Sequence, residues 1–216
     1  MAVSIIDYGM GNLRSVQKGF EKIGAQAKII STPQQVADAE AIVLPGVGAF
    51  KKCLENLDSL KLITPIIKSI KSGKPFLGIC LGLQILFTES EEFGSTPGLD
   101  IIKGKVMRFE TGARCDDTPH LKIPHMGWNS ISIKKEGPYL EDLDNETYLY
   151  FVHSYYVKPK DESVTATTTD YGLKFVSSIL KDNIFACQFH PEKSQKAGLK
   201  ILKNFTAAAG QKTGTP

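Results

Sequence analysis

Short apolar runs alternate with amphipathic stretches through the first half of the chain, and this alternation limits the possible folds more than any other feature. Residues 3–8, 27–30, 41–44 and 76–79 read as strands. Between them, a helical pattern runs from Asn12, a capping residue, to about residue 23, with Val16, Phe20 and Ile23 on one face. A second helical stripe spans 57–70, where Leu60, Ile63, Ile66, Ile67 and Ile70 line up despite Pro65, and Gly73 ends it. A third helix is expected at 81–87. A parallel crossover needs about a dozen residues and is usually helical, so this order predicts a parallel sheet with helices on both faces.

The second half changes character. Residues 105–109, 130–133, 148–153, 164–168, 175–180 and 184–189 read as strands with little helix between them, so some must pair antiparallel. A final helix is expected at 195–208, followed by a frayed tail at 210–216. No repeat or linker divides the chain. The expectation is one α/β domain over residues 1–216, a three-layer α/β/α sandwich around a mixed, largely parallel sheet. With 216 residues, 42% of them hydrophobic, the chain needs no covalent staple to hold a core.

Composition excludes several classes of function. A net charge of +3 without a Lys/Arg block is not the footprint of a nucleic-acid binder. Cys53, Cys80, Cys115 and Cys187 are scattered and form no CxxC, which fits a reducing compartment better than a disulfide framework. The start, MAVSIIDYGMG, lacks the basic region of a signal peptide, and no apolar run is long enough to span a membrane. A cytoplasmic protein is expected, with no partner role for nucleic acid or membrane.

The strand at 76–79 feeds Gly78-Ile79-Cys80-Leu81-Gly82, the G-x-nucleophile-x-G spacing of a nucleophile elbow with cysteine in the nucleophile position. Such a turn lifts the side chain to the carboxyl end of a strand and the start of a helix, whose positive end favours thiolate. The N–H of Leu81 would face a developing oxyanion. The pattern alone also fits a small buried cysteine in a tight turn. A supporting base is therefore needed. His190, in QFHPE, has Glu192 two residues on to orient its ring. His153, in FVHSYY, is the rival base, and His120 and His125 lack a carboxylate in comparable register. The loop Pro45-Gly46-Val47-Gly48 could supply a second oxyanion donor, since its glycines let backbone amides approach an anion. Gly9-Met10-Gly11-Asn12-Leu13-Arg14 begins like a dinucleotide fingerprint, but Arg14 stands where the third glycine belongs. No Cys/His spacing matches a metal site, and no cofactor is expected.

PGVGAF, GICLGLQ and QFHPEKS, in this order, resemble the class I (triad-type) glutamine amidotransferases, a flavodoxin-like fold, from the first strand to the last helix. IIDYGMGNLRSV and PHMGWNS narrow the resemblance to the glutaminase subunits of imidazole glycerol phosphate synthases. The resemblance implies that Cys80 attacks the carboxamide of L-glutamine, with His190 as acid/base and Glu192 as its orienter. It implies an oxyanion strand at Gly46, Val47 and Gly48. It also implies substrate contacts at Gln84, Glu92, Ser154 and Tyr155, and a partner-facing gate at Met10, Asn12, Trp128, Tyr150 and Lys193. Met10 departs from relatives with proline there. The implied partner is a (β/α)₈-barrel cyclase in a heterodimer, which stimulates the glutaminase and uses its ammonia in histidine biosynthesis. The alternatives are a stand-alone cysteine hydrolase of γ-glutamyl compounds, the amidotransferase component of another synthase, a catalytically inert interaction module, and a nucleotide-binding protein using GMGN.

Overall fold

The computed structural model describes residues 2–110 and 122–212. The elements follow as β1 (Ala2–Ile6), α1 (Leu13–Lys22), β2 (Gln26–Ile30), α2 (Pro33–Asp38), β3 (Ala41–Gly46), α3 (Phe50–Ser59), α4 (Ile63–Lys71), β4 (Phe76–Cys80) and α5 (Leu81–Gln84). Then come β5 (Phe87–Ser90), β6 (Thr96–Pro97), β7 (Ile102–Arg108), β8 (His125–Ser130), β9 (Ser132–Ile133), β10 (Tyr148–His153), β11 (Tyr155–Pro159), β12 (Thr165–Asp170), β13 (Lys174–Lys181), β14 (Ile184–Cys187) and α6 (Gln195–Lys212).

The main sheet has the order β2-β1-β3-β4-β14-β13-β11-β7-β5-β6, with β12 also paired to β13 and β9 to β12. From β2 to β14 the neighbours are parallel. β13 and β11 run antiparallel to their neighbours, while β5 and β7 are parallel. The sheet is mixed and largely parallel on the side that carries the crossovers, as the sequence pattern predicts. β8 and β10 form a separate antiparallel ribbon.

Strand alternation divides the core into two layers. β1 turns Val3 and Ile5 to one face and Ile6 to the other, β3 splits Ala41 and Val43 from Ile42 and Leu44, and β4 splits Leu77 and Ile79 from Phe76. α1 and α6 cover the first face through Val16, Phe20, Ile201, Leu202 and Phe205. α2, α3 and α4 cover the second through Val36, Phe50, Leu57, Ile66 and Ile70. Phe20 and Phe205 meet edge-on with centroids 6.4 Å apart. Burying each ring contributes about 2 kcal/mol.

The structure corrects three local expectations. The stripe at 57–70 is two helices, because Lys61 adopts φ 56° and turns the chain between α3 and α4. Pro65 then lies in the first turn of α4, where its missing N–H costs no helical bond. The helix after Cys80 is only four residues long. The carbonyls of Ile85 and Leu86 accept N–H groups from Leu99, Ile101 and Ile102, which diverts the apolar run into β5. The last helix continues to Lys212, beyond the expected end, and residues 213–216 lie outside the described residues. Cys115 and His120 also lie outside them.

Candidate active site

β3 and β4 end side by side, with Gly46 opposite Cys80. Cys80 adopts φ 55° and ψ −105°, a left-handed conformation that a residue other than glycine holds only when its surroundings impose it. Both flanking glycines are required. A Cβ on Gly82 would lie 1.9 Å from the carbonyl oxygen of Leu44, and one on Gly78 would lie 2.6 Å from that of Gly82. The chain reverses so tightly that α5 packs its backbone against β3. The N–H of Leu81 is a first-turn donor without an intrahelical acceptor, next to the Cys80 thiol.

The Cys80 thiol reaches the Val152 carbonyl at 3.9 Å and accepts from Nε2 of Gln188 at 3.5 Å. His190 comes after β14, beyond Gln188 and Phe189, and Pro191 opens a single 3₁₀ turn that brings Glu192 back to it. Nδ1 of His190 meets Oε1 of Glu192 at 2.8 Å, with both side chains buried. That contact puts the hydrogen on Nδ1 and leaves Nε2, which is buried and makes no hydrogen bond among the described residues, for proton transfer. Burial pulls the His190 pKa down, but contact with Cys80 and Glu192 outweighs it and raises the value to about 10. Burial beside Glu192 and Cys80 pushes Cys187 well up, so it stays a neutral thiol and does not compete as nucleophile.

His153 is not the base. Its Nδ1 lies 2.8 Å from the Tyr155 carbonyl and its Nε2 lies 3.0 Å from Nδ1 of His125, so both nitrogens are committed. Burial depresses its pKa to about 3 and that of His125 to about 4.

Gln84 is buried one turn after Cys80. Its Nε2 donates to the Tyr155 carbonyl at 3.1 Å and to Oε1 of Gln188 at 3.0 Å, which leaves its own Oε1 to accept a further hydrogen. Glu92 follows β5 and accepts from the N–H of Phe50. It thereby caps α3, whose preceding residue, Ala49, offers no side-chain cap. The Tyr155 hydroxyl has its pKa raised, first by burial and then by Glu92. Gln84, Glu92 and Tyr155 are thus close to the elbow or to each other. Ser154 sits in the turn between β10 and β11, where its carbonyl accepts from Phe109 at 3.1 Å. Gln188 escapes a reading of the sequence. The signal available for it is a lone amide in the apolar stretch IFACQF.

Gly48 has φ 99°, and a Cβ there would lie 2.8 Å from Cε of Met10. Met10 therefore packs on the loop after β3, while Gly11 approaches the Pro45 carbonyl, so GMGN serves as a packing turn against that loop. Asn12 caps α1 by accepting from Ser15 at 3.2 Å. Trp128 meets Tyr150 edge-on at 6.1 Å, and the Lys193 ammonium sits 5.7 Å from the centre of the Tyr150 ring. With Met126 63% and Trp128 45% exposed, these side chains form an aromatic, partly apolar surface beside the 3₁₀ turn that follows His190. Among the described residues, no group of three His, Cys, Asp or Glu could hold a metal ion, and no helix is long and apolar enough to cross a membrane.

The family described as Glutamine amidotransferase class-I matches residues 4–209. Imidazole glycerol phosphate synthase subunit HisH of Syntrophotalea carbinolica is 57% identical over 203 residues, covering 94% of this chain and 98% of that protein. The protein of the same name from Aquifex aeolicus is 52% identical over 214 residues, covering 99% and 100%. A crystal structure of a glutamine amidotransferase matches with TM-score 0.74 at 17% identity, covering 96% of this chain and 98% of that one. The structure of PurLQS from Thermotoga maritima gives 0.72 at 15%, covering 96% and 98%. At these identities the solved structures bear on the fold alone.

Proposed function

This chain belongs to the class-I glutamine amidotransferase family, and we infer that it is the glutaminase subunit of an imidazole glycerol phosphate synthase, acting in histidine biosynthesis. It is an enzyme that hydrolyses L-glutamine to glutamate and ammonia. The ammonia passes to a cyclase subunit that makes imidazole glycerol phosphate and AICAR. The observation that carries the chemistry is Cys80 on a strained elbow, beside a buried His190–Glu192 pair whose Nε2 is uncommitted.

In this reading the Cys80 sulfur attacks the glutamine carboxamide carbon. The resulting oxyanion meets the N–H of Leu81 and an N–H of the Gly46-Val47-Gly48 loop. His190 passes a proton from Nε2 to the departing nitrogen, and ammonia leaves a glutamyl thioester on Cys80. His190 then takes a proton from water, which attacks the thioester, breaks the C–S bond and releases glutamate. Glu192 keeps the imidazole in its tautomer throughout. The uncommitted Oε1 of Gln84 and the Glu92 carboxylate suit the substrate ammonium, while Tyr155 and Ser154 suit its carboxylate.

Free ammonia at neutral pH is mostly ammonium, which has no lone pair with which to attack, so the product must be handed over within a complex. The surface of Met10, Asn12, Trp128, Tyr150 and Lys193 is the docking face in this reading, and a (β/α)₈-barrel cyclase is the partner. Two features support it: the exposure of Trp128, and the packing of Met10 on the oxyanion loop. A cytoplasmic location fits the same assignment.

The test is ammonia release from glutamine with and without the cyclase and its nucleotide. Turnover should rise strongly with the partner, and Cys80→Ser should lower it by roughly 10³-fold or more. Full turnover without the partner would favour a stand-alone hydrolase, and parental activity in Cys80→Ser would remove Cys80 as nucleophile.

A further inference from the structure

Gln188 is fully buried between Cys187 and Phe189, and its backbone N–H is fixed to the Ser177 carbonyl at 2.8 Å. Its side chain is the only protein group that hydrogen-bonds both the nucleophile and the amide of Gln84 among the described residues. The direction of those bonds follows from the chemistry of their neighbours. The Tyr155 carbonyl can only accept, so the group that Gln84 presents to it at 3.1 Å must be its NH₂. The second hydrogen of that NH₂ goes to Gln188 at 3.0 Å, so Gln188 presents its oxygen there. Its NH₂ must then face the Cys80 sulfur at 3.5 Å. Turning the Gln188 amide over would set two NH₂ groups against each other.

The far end of the chain is anchored as well. The Tyr155 carbonyl also accepts from Nδ1 of His153 at 2.8 Å. This leaves Nε2 of His153 to accept from Nδ1 of His125 at 3.0 Å, and Nε2 of His125 to accept from Nδ2 of Asn129 at 3.3 Å. Asn129 is held in turn by the Asp170 carbonyl at 2.8 Å. Two buried neutral imidazoles therefore fix the carbonyl that fixes Gln84, and Gln84 fixes Gln188.

We propose that Gln188 is a further catalytic residue of the glutaminase site, whose amide N–H holds the Cys80 sulfur and stabilises its negative charge both before attack and when it leaves the thioester. The proposal rests on the reading of Cys80 as the nucleophile. The sulfur carries negative charge twice per turnover: as the attacking thiolate, and as the pair of electrons it recovers when water breaks the C–S bond. A donor already aimed at that atom stabilises charge without reorganising. His190 handles the protons and Gln188 holds none, so the two roles are separate.

Two variants distinguish donation to sulfur from mere support of Gln84. Gln84→Met removes the amide that Gln188 would support and leaves the Gln188 NH₂ to the sulfur. Gln188→Met keeps the volume and loses both bonds. The measurement is the pH dependence of iodoacetamide alkylation of Cys80, read on its own peptide by mass spectrometry, in the full chain alone and with the cyclase. Alkylation should move up by about one pH unit in Gln188→Met and stay near the parental profile in Gln84→Met, and kcat of Gln188→Met in the complex should fall roughly 10-fold or more. If Gln188→Met keeps the parental alkylation profile, or Gln84→Met moves as far as Gln188→Met, Gln188 only supports Gln84 and the proposal is overturned. Should either variant unfold, the parent chain still decides. With ¹⁵N-labelled glutamine, the side-chain amide signal of Gln188 should move with the same midpoint as Cys80 alkylation, and an amide indifferent to that titration refutes the bond. Alkylation needs no glutamine. A parent that alkylates normally but never releases ammonia would sink the glutaminase reading and leave the Gln188 bond to be judged separately.

Discussion

The backbone N–H of His190 donates to the carbonyl oxygen of Tyr150 at 2.9 Å. The same Tyr150 offers its own N–H to Oγ of Ser194 at 2.9 Å, and that hydroxyl donates to the His190 carbonyl at 2.6 Å. A closed ring of hydrogen bonds thus ties His190 to β10, the strand that presents the Tyr150 ring beside Trp128 and Lys193. Displacing Tyr150 would move the backbone of His190.

Ser194→Ala tests this ring. It leaves the Tyr150 N–H without its partner and the His190 carbonyl with only the N–H of Lys193, which should cost about 1–3 kcal/mol in urea unfolding. Glutamine turnover in the complex should fall by more than the stability loss explains, because His190 loses its positioning. A variant as unstable as expected but with parental turnover at a temperature where it is folded would show that the ring is structural only.

Gly82→Ala should be far more damaging than its chemistry implies. The new Cβ would fall 1.9 Å from the Leu44 carbonyl oxygen, so either β3 or the elbow must move. A loss of about 3 kcal/mol or more is expected, with glutaminase activity abolished in whatever folds. Gly210→Ala, in α6 and with nothing within 4 Å of the added carbon, is the matched control. Gly82 and Gly210 both lie in helices without a positive φ, so the comparison isolates the clash from the backbone cost.

These glycines show what was legible in the sequence. The G-x-C-x-G spacing marks a local backbone problem whose solution is the same in any fold, so Cys80 and its elbow could be read directly. The parallel strands were equally plain, because burial on both faces demands continuous apolar residues, and strand 148–153 was plain although only alternate residues of it are buried. What failed depended on partners distant in sequence. Residues 85–87 read as helix until segment 99–102 claims their carbonyls, and β11 at Tyr155–Pro159 exists because β7 and β13 flank it. The competition between His153 and His190 was open for the same reason. Only the pairing of β10 with β8 places His125 against His153 and occupies its second nitrogen.

That histidine pair should appear in acid. Burial depresses both pKa values, to about 4 for His125 and about 3 for His153, against about 6.5 when unfolded. The unfolded chain therefore binds more protons below pH ~6.5, and stability present above that pH is lost as pH falls toward the folded values. Each histidine adds up to about 1.4 kcal/mol per pH unit to the slope. His125→Gln should reduce the slope of unfolding free energy between pH 4 and 6 by roughly one proton, measured by urea titration at each pH. An unchanged slope would mean that the pair is not neutral in the folded chain.

His190 should act in the opposite direction. Burial alone would lower its pKa, but Cys80 and Glu192 raise it to about 10, above the unfolded value. The stability this contributes is complete below pH ~6.5 and is lost as pH rises toward 10. Glu192→Gln removes one of the two raising contacts, so the alkaline decline should begin at lower pH and reach a smaller total. Melting curves from pH 6 to 10 on parent and variant measure it, and coincident alkaline limbs would exclude Glu192 as the group holding the imidazolium.

The loop after β3 carries the last prediction. Gly48 has φ 99°, which proline, fixed near −65°, cannot adopt, and proline also removes the N–H that would meet the oxyanion. Gly48→Pro should therefore lower partner-stimulated glutamine hydrolysis by about 10² or more, the usual cost of one oxyanion donor. Cys80 alkylation involves no oxyanion and should change little, which separates loss of the donor from collapse of the elbow. Met10 sets the second half of the test. Its Cε lies where a side chain on Gly48 would go, so Gly48→Ala should also be impaired, and Met10→Ala should relieve the steric part and leave the backbone strain. If Gly48→Pro turned over glutamine as fast as the parent in the complex, the Gly48 N–H would not be an oxyanion donor. The stabilisation would then fall to Leu81 and the remaining loop amides.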